Sequence, residues 1–191
     1  MTDLEAKVQG KLLLLFVRDS DLELPILLSA FGSLRRSEVV CALQLSDFNR
    51  KNCTVHVHAA VVFGSAGWTK KSPKTVAGDR YVKVPKRVFE ILPGNDPVCN
   101  FTPQRLYKRF EKALKQAGIA PFRYHDLRHY YASSQHALGV PDAYVMKSGG
   151  WETDTVLKNV YRNVLTDAEQ RFYDMAIDHY DSMIASETAS A

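Results

Sequence analysis

Residues 121–161 read PFRYHDLRHYYASSQHALGVPDAYVMKSGGWETDTVLKNVY, and three short motifs within them decide the interpretation of the chain. The first is His125-Asp126-Leu127-Arg128 and the second is Gly149-Gly150-Trp151. The third is a tyrosine, Tyr161, which follows ten residues after the tryptophan. Since residues three apart are neighbours on a helix, we expect His125 and Arg128 to project from one face of a helix start.

Helical signals surround these motifs on both sides. A helix is predicted from about Asp126 to Leu138, where Gly139 stops it, and Pro141 opens a second helix to about Ser148. Further helices are predicted over residues 102–117, capped by Thr102 and Pro103, and from the capping box at residue 166 to about residue 186. The first third of the chain predicts three more, over residues 2–20, 22–31 and 35–43.

β-Branched residues in alternation predict strands over Cys53–Phe63 and Asp79–Val84, with Tyr81 facing outward. The connection between them, Gly64–Gly78, is rich in turn residues and is expected to be mobile. The sequence thus predicts a mixed α+β domain that is mostly helical and has one small antiparallel β-sheet.

The chemistry of the motif residues suits the transfer of a DNA phosphodiester onto a phenol oxygen. Arg35 and Arg128 can each bind two phosphate oxygens, and Glu38, one turn after Arg35, can hold that guanidinium in position. His125 can take or relay a proton, and Trp151 offers an indole N–H donor. Two further groups complete the set: Lys74 as the general acid for the departing 5′ oxygen and Tyr161 as the nucleophile.

Basic side chains elsewhere are candidates for contacts with DNA phosphates. The helix over residues 102–117 has a basic face, Arg36 lies next to Arg35, and lysines occupy the connection between the strands. The DNA-contacting candidates are Arg36, Lys70, Lys71, Arg105, Lys108, Arg109 and Lys112.

Length, net charge and cysteine content limit the possible classes of protein but do not identify one. A chain of 191 residues suits one domain, and its net charge of +4 is weak support for nucleic-acid binding. Three unpaired cysteines and the lack of an apolar leader or membrane span lead us to expect a cytoplasmic protein with reduced thiols. We expect no cofactor and no metal, since His125 and His129 have no third ligand nearby in sequence, and His56 and His58 are expected on one exposed strand face.

Taken together, the motifs resemble the tyrosine recombinase family of phage integrases and, more distantly, the type IB topoisomerases. The resemblance is carried by the segments FGSLRRSE (31–38), SPKT (72–75), HDLR (125–128) and GW (150–151), and by Tyr161. It implies an active site formed by Arg35, Lys74, His125, Arg128, Trp151 and Tyr161. It also implies a 3′-phosphotyrosyl intermediate, a Holliday junction and a tetramer on two double-stranded DNA attachment sites.

Three positions depart from the family's usual pattern. The glycine that normally precedes Leu-Arg is shifted by one, giving Gly32-Ser33-Leu34-Arg35. Trp151 stands where histidine is more frequent, and Gly149 replaces a bulky residue before Gly150.

The resemblance also shapes the expected domain organisation and partners. Residues 1–165 are expected to form the catalytic domain, and the apolar helix and tail in residues 166–191 either pack on their own domain or dock on a neighbouring protomer. The family's core-binding domain is missing, so we expect a catalytic domain from a longer protein, with accessory DNA-bending or directionality proteins as further partners. Two alternatives stay open: a DNA-binding regulatory module without catalysis, and a topoisomerase that relaxes supercoils.

Overall fold

Helix α2 (Glu23–Gly32) lies at the centre of the fold, because nine of its ten residues are buried. The computed structural model describes residues 13–64, 67–72, 76–155 and 157. Helix α1 comprises residues 13–17. The other helices are α3 (Arg36–Val39), α4 (Lys86–Glu90), α5 (Pro103–Gln116), α6 (Asp126–Ala137) and α7 (Asp142–Gly149), with 3-10 turns at Leu45–Asp47 and Val76–Gly78.

The described strands form two antiparallel sheets. Strands β1 (Phe48–Asn49), β2 (Thr54–Val57) and β5 (Arg80–Lys83) form a three-stranded sheet with β2 in the middle. Strands β3 (Ala60–Gly64) and β4 (Gly67–Lys71) pair with each other as a separate hairpin. The predicted α+β class is confirmed, with most of the regular structure in helices.

Two apolar clusters pack on opposite sides of α2. On one side, Ile26 and Ala30 contact the apolar stripe of α5, including Leu106 and Phe110. On the other side, Leu24, Leu27 and Leu28 pack against the inward residues of the three-stranded sheet and against α4. Burial at both faces explains why α2 is apolar all round, in contrast to α5, whose outer face is polar.

Helix α5 follows its sequence signals closely. The side chain of Thr102 accepts a hydrogen bond from the backbone N–H of Arg105 at 3.2 Å, and Pro103 occupies the first helical position. Gly118 follows the helix in the left-handed region, with φ of 66°. The predicted helix boundaries are therefore confirmed here.

Three predictions about local structure are wrong. The helix starting near Arg35 ends at Val39 rather than Leu43, because the chain turns at Cys41, whose φ is 53° and whose N–H donates to the carbonyl of Cys99 at 3.0 Å. The predicted strand over residues 53–63 is two strands in different sheets. Lys70 and Lys71 lie on strand β4 rather than on a turn, although both are exposed.

No helix within the described ranges combines the length and the apolar character needed to cross a bilayer.

Candidate active site

Arg35 is positioned by the turn that joins α2 to α3. Ser33 ends α2 in the left-handed conformation, with φ of 56°, and Leu34 is buried in the core. Glu38 then binds Arg35 twice, accepting from its backbone N–H and from Nη1, each at 2.6 Å. The predicted support of Arg35 by Glu38 is therefore present, and it fixes the direction of the guanidinium.

Arg128 lies on the buried face of α6 with 2% of its surface exposed. Its Nη2 donates to the carbonyl of Gly149 at 2.9 Å, and its Nη1 donates to the carbonyl of Ser33. Its guanidinium carbon lies 4.8 Å from the centroid of the Trp151 ring, a cation–π contact. Burial and the nearby charge of Arg35 lower the pKa of Arg128, but an arginine retains its proton at neutral pH.

Both arginines converge on the C-terminal end of helix α7. Arg35 Nη2 donates to the carbonyl of Gly150 at 2.8 Å, next to the Gly149 carbonyl that Arg128 binds. Carbonyl groups at a helix C-terminus have no intrahelical partner and carry partial negative charge, so they attract cations. Residues about 90 positions apart in sequence thus place two guanidinium groups side by side.

The two glycines at this helix end are required by the packing. A Cβ on Gly149 would lie 2.1 Å from the Trp151 ring, and Gly150 has a φ of 65° with the Ala77 carbonyl 2.8 Å from the position of a Cβ. The Gly149-Gly150 pair, which departs from the family pattern, therefore provides the space that Trp151 occupies. Trp151 in turn covers Arg128.

Arg80 is a central residue of this region that the sequence analysis missed. It lies on β5 with 5% of its surface exposed, and it forms a salt bridge with Glu38 at 2.9 Å. Its Nε donates to the carbonyl of Ser148 at 2.8 Å, and its Nη2 donates to that of Ser33 at 3.4 Å. The signal was present in the sequence, since Arg80 shares its strand face with the inward residues Val82 and Val84.

Glu38 is consequently a buried carboxylate between two guanidinium groups. Burial alone would raise its pKa, but the hydrogen bonds and charges of Arg80 and Arg35 outweigh this effect, so the pKa of Glu38 is lowered. The carboxylate stays ionised at neutral pH and holds both arginines in place.

His125 occupies the N-cap position of α6 without a side-chain cap hydrogen bond, and its ring lies edge-on to that of His129, with centroids 5.4 Å apart. Burial lowers the pKa of His125, and the positive charge of Arg128 lowers it further. The imidazole is therefore neutral at pH 7. A neutral imidazole can accept a proton, which is the role expected from the sequence.

The remaining predicted site residues fall into two groups. Lys74 and Tyr161 lie outside the described residues. The candidate DNA contacts Arg36, Lys70, Lys71, Arg105, Lys108, Arg109 and Lys112 all lie on exposed positions. Two of those on α5 also have contacts within the chain, because Arg109 pairs with Asp21 and Arg105 lies 5.6 Å from the centroid of the Phe101 ring.

The mostly helical α+β fold and the two arginines held at one helix end agree with the family that the sequence motifs resemble. The chain belongs to the phage integrase family, whose model, described as "Phage integrase family", matches residues 19–167. The predicted family is thereby confirmed.

Among curated proteins, the chain is similar to the prophage phiRv2 integrase of Mycobacterium tuberculosis, with 30% identity over 151 residues. That match covers 67% of this chain and 39% of the relative, so the chain spans about two fifths of the length of the relative. It is also 54% identical over 41 residues to the integrase of Salmonella phage P22, covering 22% of this chain and 11% of that protein.

Solved structures show the same fold. The Tn1549 transposon integrase in complex with transposon right end DNA aligns with a TM-score of 0.69 at 18% identity, over 89% of this chain and 64% of that one. The XerA recombinase aligns with a TM-score of 0.67 at 17% identity, over 89% and 62%. The catalytic domain of bacteriophage HP1 integrase aligns with a TM-score of 0.58 at 19% identity, over 86% and 90%.

Proposed function

We propose that this chain is the catalytic domain of a site-specific DNA recombinase that integrates or excises a phage or mobile element. The observation that carries the proposal is the convergence of Arg35 and Arg128 on the adjacent carbonyls of Gly149 and Gly150. Two guanidinium groups held side by side can stabilise the negative charge that develops on the phosphoryl oxygens in the transition state. Membership of the phage integrase family supports the same function.

The proposed reaction is an exchange of phosphodiester bonds. The phenol oxygen of Tyr161 attacks the scissile phosphorus and forms a 3′-phosphotyrosyl ester as the bond from phosphorus to the 5′ oxygen breaks. His125 takes the phenol proton, and Lys74 donates a proton to the departing 5′ oxygen. Rejoining is the reverse reaction with a 5′ hydroxyl as nucleophile, so neither water nor ATP is consumed.

The surroundings of Arg128 indicate how a phosphate engages this pair. Two of its nitrogens are bound by carbonyl groups, while its Nε has no hydrogen-bond partner among the described residues. A buried donor without an acceptor is costly, so a phosphate oxygen would gain a strong charge-assisted hydrogen bond from Nε if DNA binding uncovered this buried nitrogen. Arg35 is 38% exposed and offers the accessible side of the pair.

The test uses a pool of DNA duplexes with a randomised central sequence and a single nick, since a nick traps the covalent intermediate by releasing a short strand. The chain is mixed with the pool, and adducts that resist SDS are recovered and sequenced. We expect adducts enriched in one sequence, and we expect none with Tyr161→Phe. Adducts formed equally by Tyr161→Phe would overturn the assignment of Tyr161 as the nucleophile.

Two other results identify the alternative functions. Salt-dependent DNA binding without any adduct indicates a regulatory DNA-binding module. Relaxation of supercoiled plasmid without sequence enrichment or recombination products indicates a topoisomerase of the type IB kind.

The domain organisation and assembly form part of the proposal. We assign residues 1–165 to the catalytic domain and residues 166–191 to a helix and tail that dock on a neighbouring protomer. A tetramer on two attachment sites, with accessory DNA-bending or directionality proteins, is the proposed working assembly. Sedimentation measures the oligomeric state of the chain with and without the DNA sequence recovered from the pool. Repeating it with residues 166–191 deleted tests whether these residues dock on a neighbouring protomer.

A further inference from the structure

Four polar side chains that are not among the candidate active-site residues converge beside the three-stranded sheet. His56 Nε2 lies 2.8 Å from Asp79 Oδ1, and His58 Nε2 lies 3.0 Å from Asp47 Oδ1. The two imidazole rings are 4.7 Å apart between centroids. The cluster therefore consists of two histidine–aspartate pairs whose imidazole rings lie close to each other.

The register of the sheet explains why these residues meet. His56 and His58 are two positions apart on extended chain and share a face. Phe48 pairs with Val55, so continuing the β1–β2 register by one residue brings Asp47 opposite His56. Val57 pairs with Arg80, and the same step along β5 brings Asp79 opposite His58. Cross-strand neighbours lie on the same side of a sheet, so all four side chains point to one place.

We propose that this cluster is a Zn²⁺ site. Ligand atoms from Asp47, His56 and His58 all lie within 4.8 Å of one another, and Asp79, whose Oδ1 lies 2.8 Å from His56 Nε2, is the proposed fourth donor. Zinc binds four nitrogen and oxygen ligands at about 2.0–2.2 Å in a tetrahedron, which separates the ligands by roughly 3.3–3.6 Å. To reach this geometry, side-chain rotations must separate the two hydrogen-bonded pairs slightly from 2.8 and 3.0 Å and bring the more distant ligand atoms closer together.

The charge and the surroundings of the cluster suit a divalent cation. Two carboxylates and two neutral imidazoles balance the charge of Zn²⁺. The Asp47 side chain is 8% exposed, and its second oxygen accepts from the N–H of Gln44 at 2.8 Å, which fixes the orientation of the carboxylate. The His56 ring stacks on Tyr81 at 4.3 Å with an interplanar angle of 7°, which limits the rotation of the imidazole.

Such a site ties together the two ends of the segment between β2 and β5. His58 lies just before β3, and Asp79 lies just before β5, so a bound ion links the entry and the exit of residues 60–78. A crosslink of this kind joins the two ends of the stretch of sequence that contains Lys70, Lys71 and Lys74. The metal site is independent of the proposed recombination.

The test is a competition titration of the chain, prepared without a polyhistidine tag, against a chromophoric Zn²⁺ chelator. We expect one Zn²⁺ per chain in the wild type. Loss of a group that merely orients a metal ligand typically weakens binding by about 10–100-fold, so we expect at least about tenfold weaker binding in His56→Gln/His58→Gln. Asp79→Asn, which changes a half-exposed side chain, should also weaken binding and tests the site if the double variant fails to fold.

Matched controls separate this site from other zinc ligands. His136→Gln and Cys53→Ser remove a histidine and a thiol outside the cluster and should leave the affinity unchanged. Co²⁺ should give visible absorption bands of a tetrahedral nitrogen and oxygen site, without a thiolate-to-cobalt charge-transfer band. Wild-type affinity in the cluster variants, absence of binding by the wild type, or a thiolate band would each overturn the proposal.

Discussion

At the scale of single residues, the candidate active site depends on charges held by backbone carbonyls. Arg35 and Arg128 each donate to a glycine carbonyl at the end of α7, and both guanidinium planes are fixed by a second acceptor, Glu38 or the Ser33 carbonyl. A fixed guanidinium stabilises a transition state better than a mobile cation does, because no reorganisation is needed during the reaction.

Replacing Arg35 by Lys is predicted to reduce the rate of adduct formation by about 10²–10³-fold, as expected for loss of a preorganised donor. A lysine ammonium cannot bind Glu38, the Gly150 carbonyl and a phosphate with the planar geometry of a guanidinium. Rates are measured on the DNA sequence recovered from the nicked pool. The matched control is Arg18→Lys, at an exposed arginine outside the candidate DNA contacts, which should change the rate little; equal losses in both variants would contradict the role of Arg35.

Ser33→Gly is predicted to stabilise the protein by about 1 kcal/mol. A left-handed conformation costs a residue with a Cβ roughly 1–2 kcal/mol, and the Ser33 hydroxyl is buried without a partner among the described residues. The extra chain entropy of glycine offsets only about 0.5–1 kcal/mol. Urea unfolding measures the change. Ser33→Ala removes the hydroxyl and keeps the Cβ, so a gain in Ser33→Ala as large as that in Ser33→Gly would exclude backbone strain as the cause.

At the scale of secondary structure elements, the C-terminal end of α7 is the point that the other elements bind. Arg35 reaches it from the α2–α3 turn, Arg128 from α6 and Arg80 from β5. Trp151, directly after the helix, returns across Gly149 to cover Arg128. The position of this helix end therefore sets the relative positions of Arg35, Arg80 and Arg128.

Gly149→Ala is predicted to destabilise the protein by about 1–3 kcal/mol, the usual cost of overpacking. Alanine improves helix propensity by up to about 1 kcal/mol, but a methyl group 2.1 Å from a rigid indole ring forces Trp151 away from Arg128. Unfolding in urea and tryptophan fluorescence, measured in a Trp68→Phe background so that Trp151 is the remaining tryptophan, report both effects. Gly94→Ala is the control, since nothing lies within 4 Å of its Cβ position, and an equal loss there would argue against the clash.

Arg80→Leu is predicted to destabilise the protein by about 3 kcal/mol or more, because it removes one partner of a buried ion pair with Glu38. The free energy of unfolding and the adduct rate should both fall, since Arg80 also binds the Ser148 carbonyl and connects β5 to α7. Arg123→Leu, at an exposed arginine paired with Asp126, is the control and should change stability little. Stability in Arg80→Leu equal to that of the wild type would show that the connection is unimportant.

At the scale of the whole molecule, α2 separates two apolar clusters and brings their surrounding elements to one site. The α5–α6 side supplies Arg128, and the sheet side supplies Arg80. Because both clusters pack on the same helix, destabilising either cluster is expected to change the position of Arg128 relative to Arg80.

The stability of the chain is predicted to fall as the pH decreases through about 6.5. Burial lowers the pKa of His125 and His129 in the folded state, so the unfolded chain binds more protons below its ordinary histidine pKa of about 6.5. The free energy of unfolding therefore rises with pH across this window. Urea unfolding at pH 7.5, 6.5 and 5.5 measures the slope, and His125→Gln/His129→Gln should flatten it. The lowered pKa of Glu38 acts in a separate window, below about pH 4.5. If the free energy of unfolding depends on pH in the double variant as it does in the wild type, His125 and His129 are not the cause of this dependence.

The sequence by itself determined the residue types of the site, the family and most helices. Helix periodicity, the Thr102 cap and the glycine stops are local, so they can be read from neighbouring residues, and Glu38 is close enough to Arg35 for its support to be predicted. The shortened helix at Arg35 was missed because its end depends on a hydrogen bond from Cys41 to the distant carbonyl of Cys99.

Only the tertiary structure decided which distant groups meet. Arg80 binds the backbone carbonyls of Ser33 and Ser148. Because every residue has a backbone carbonyl, the sequence does not indicate which of them Arg80 contacts. The cluster of His56 and His58 with two aspartates depends on the register of three strands, which local alternation does not specify. Contacts between segments follow from packing and strand pairing over the whole chain, and for that physical reason they became visible only in the folded molecule.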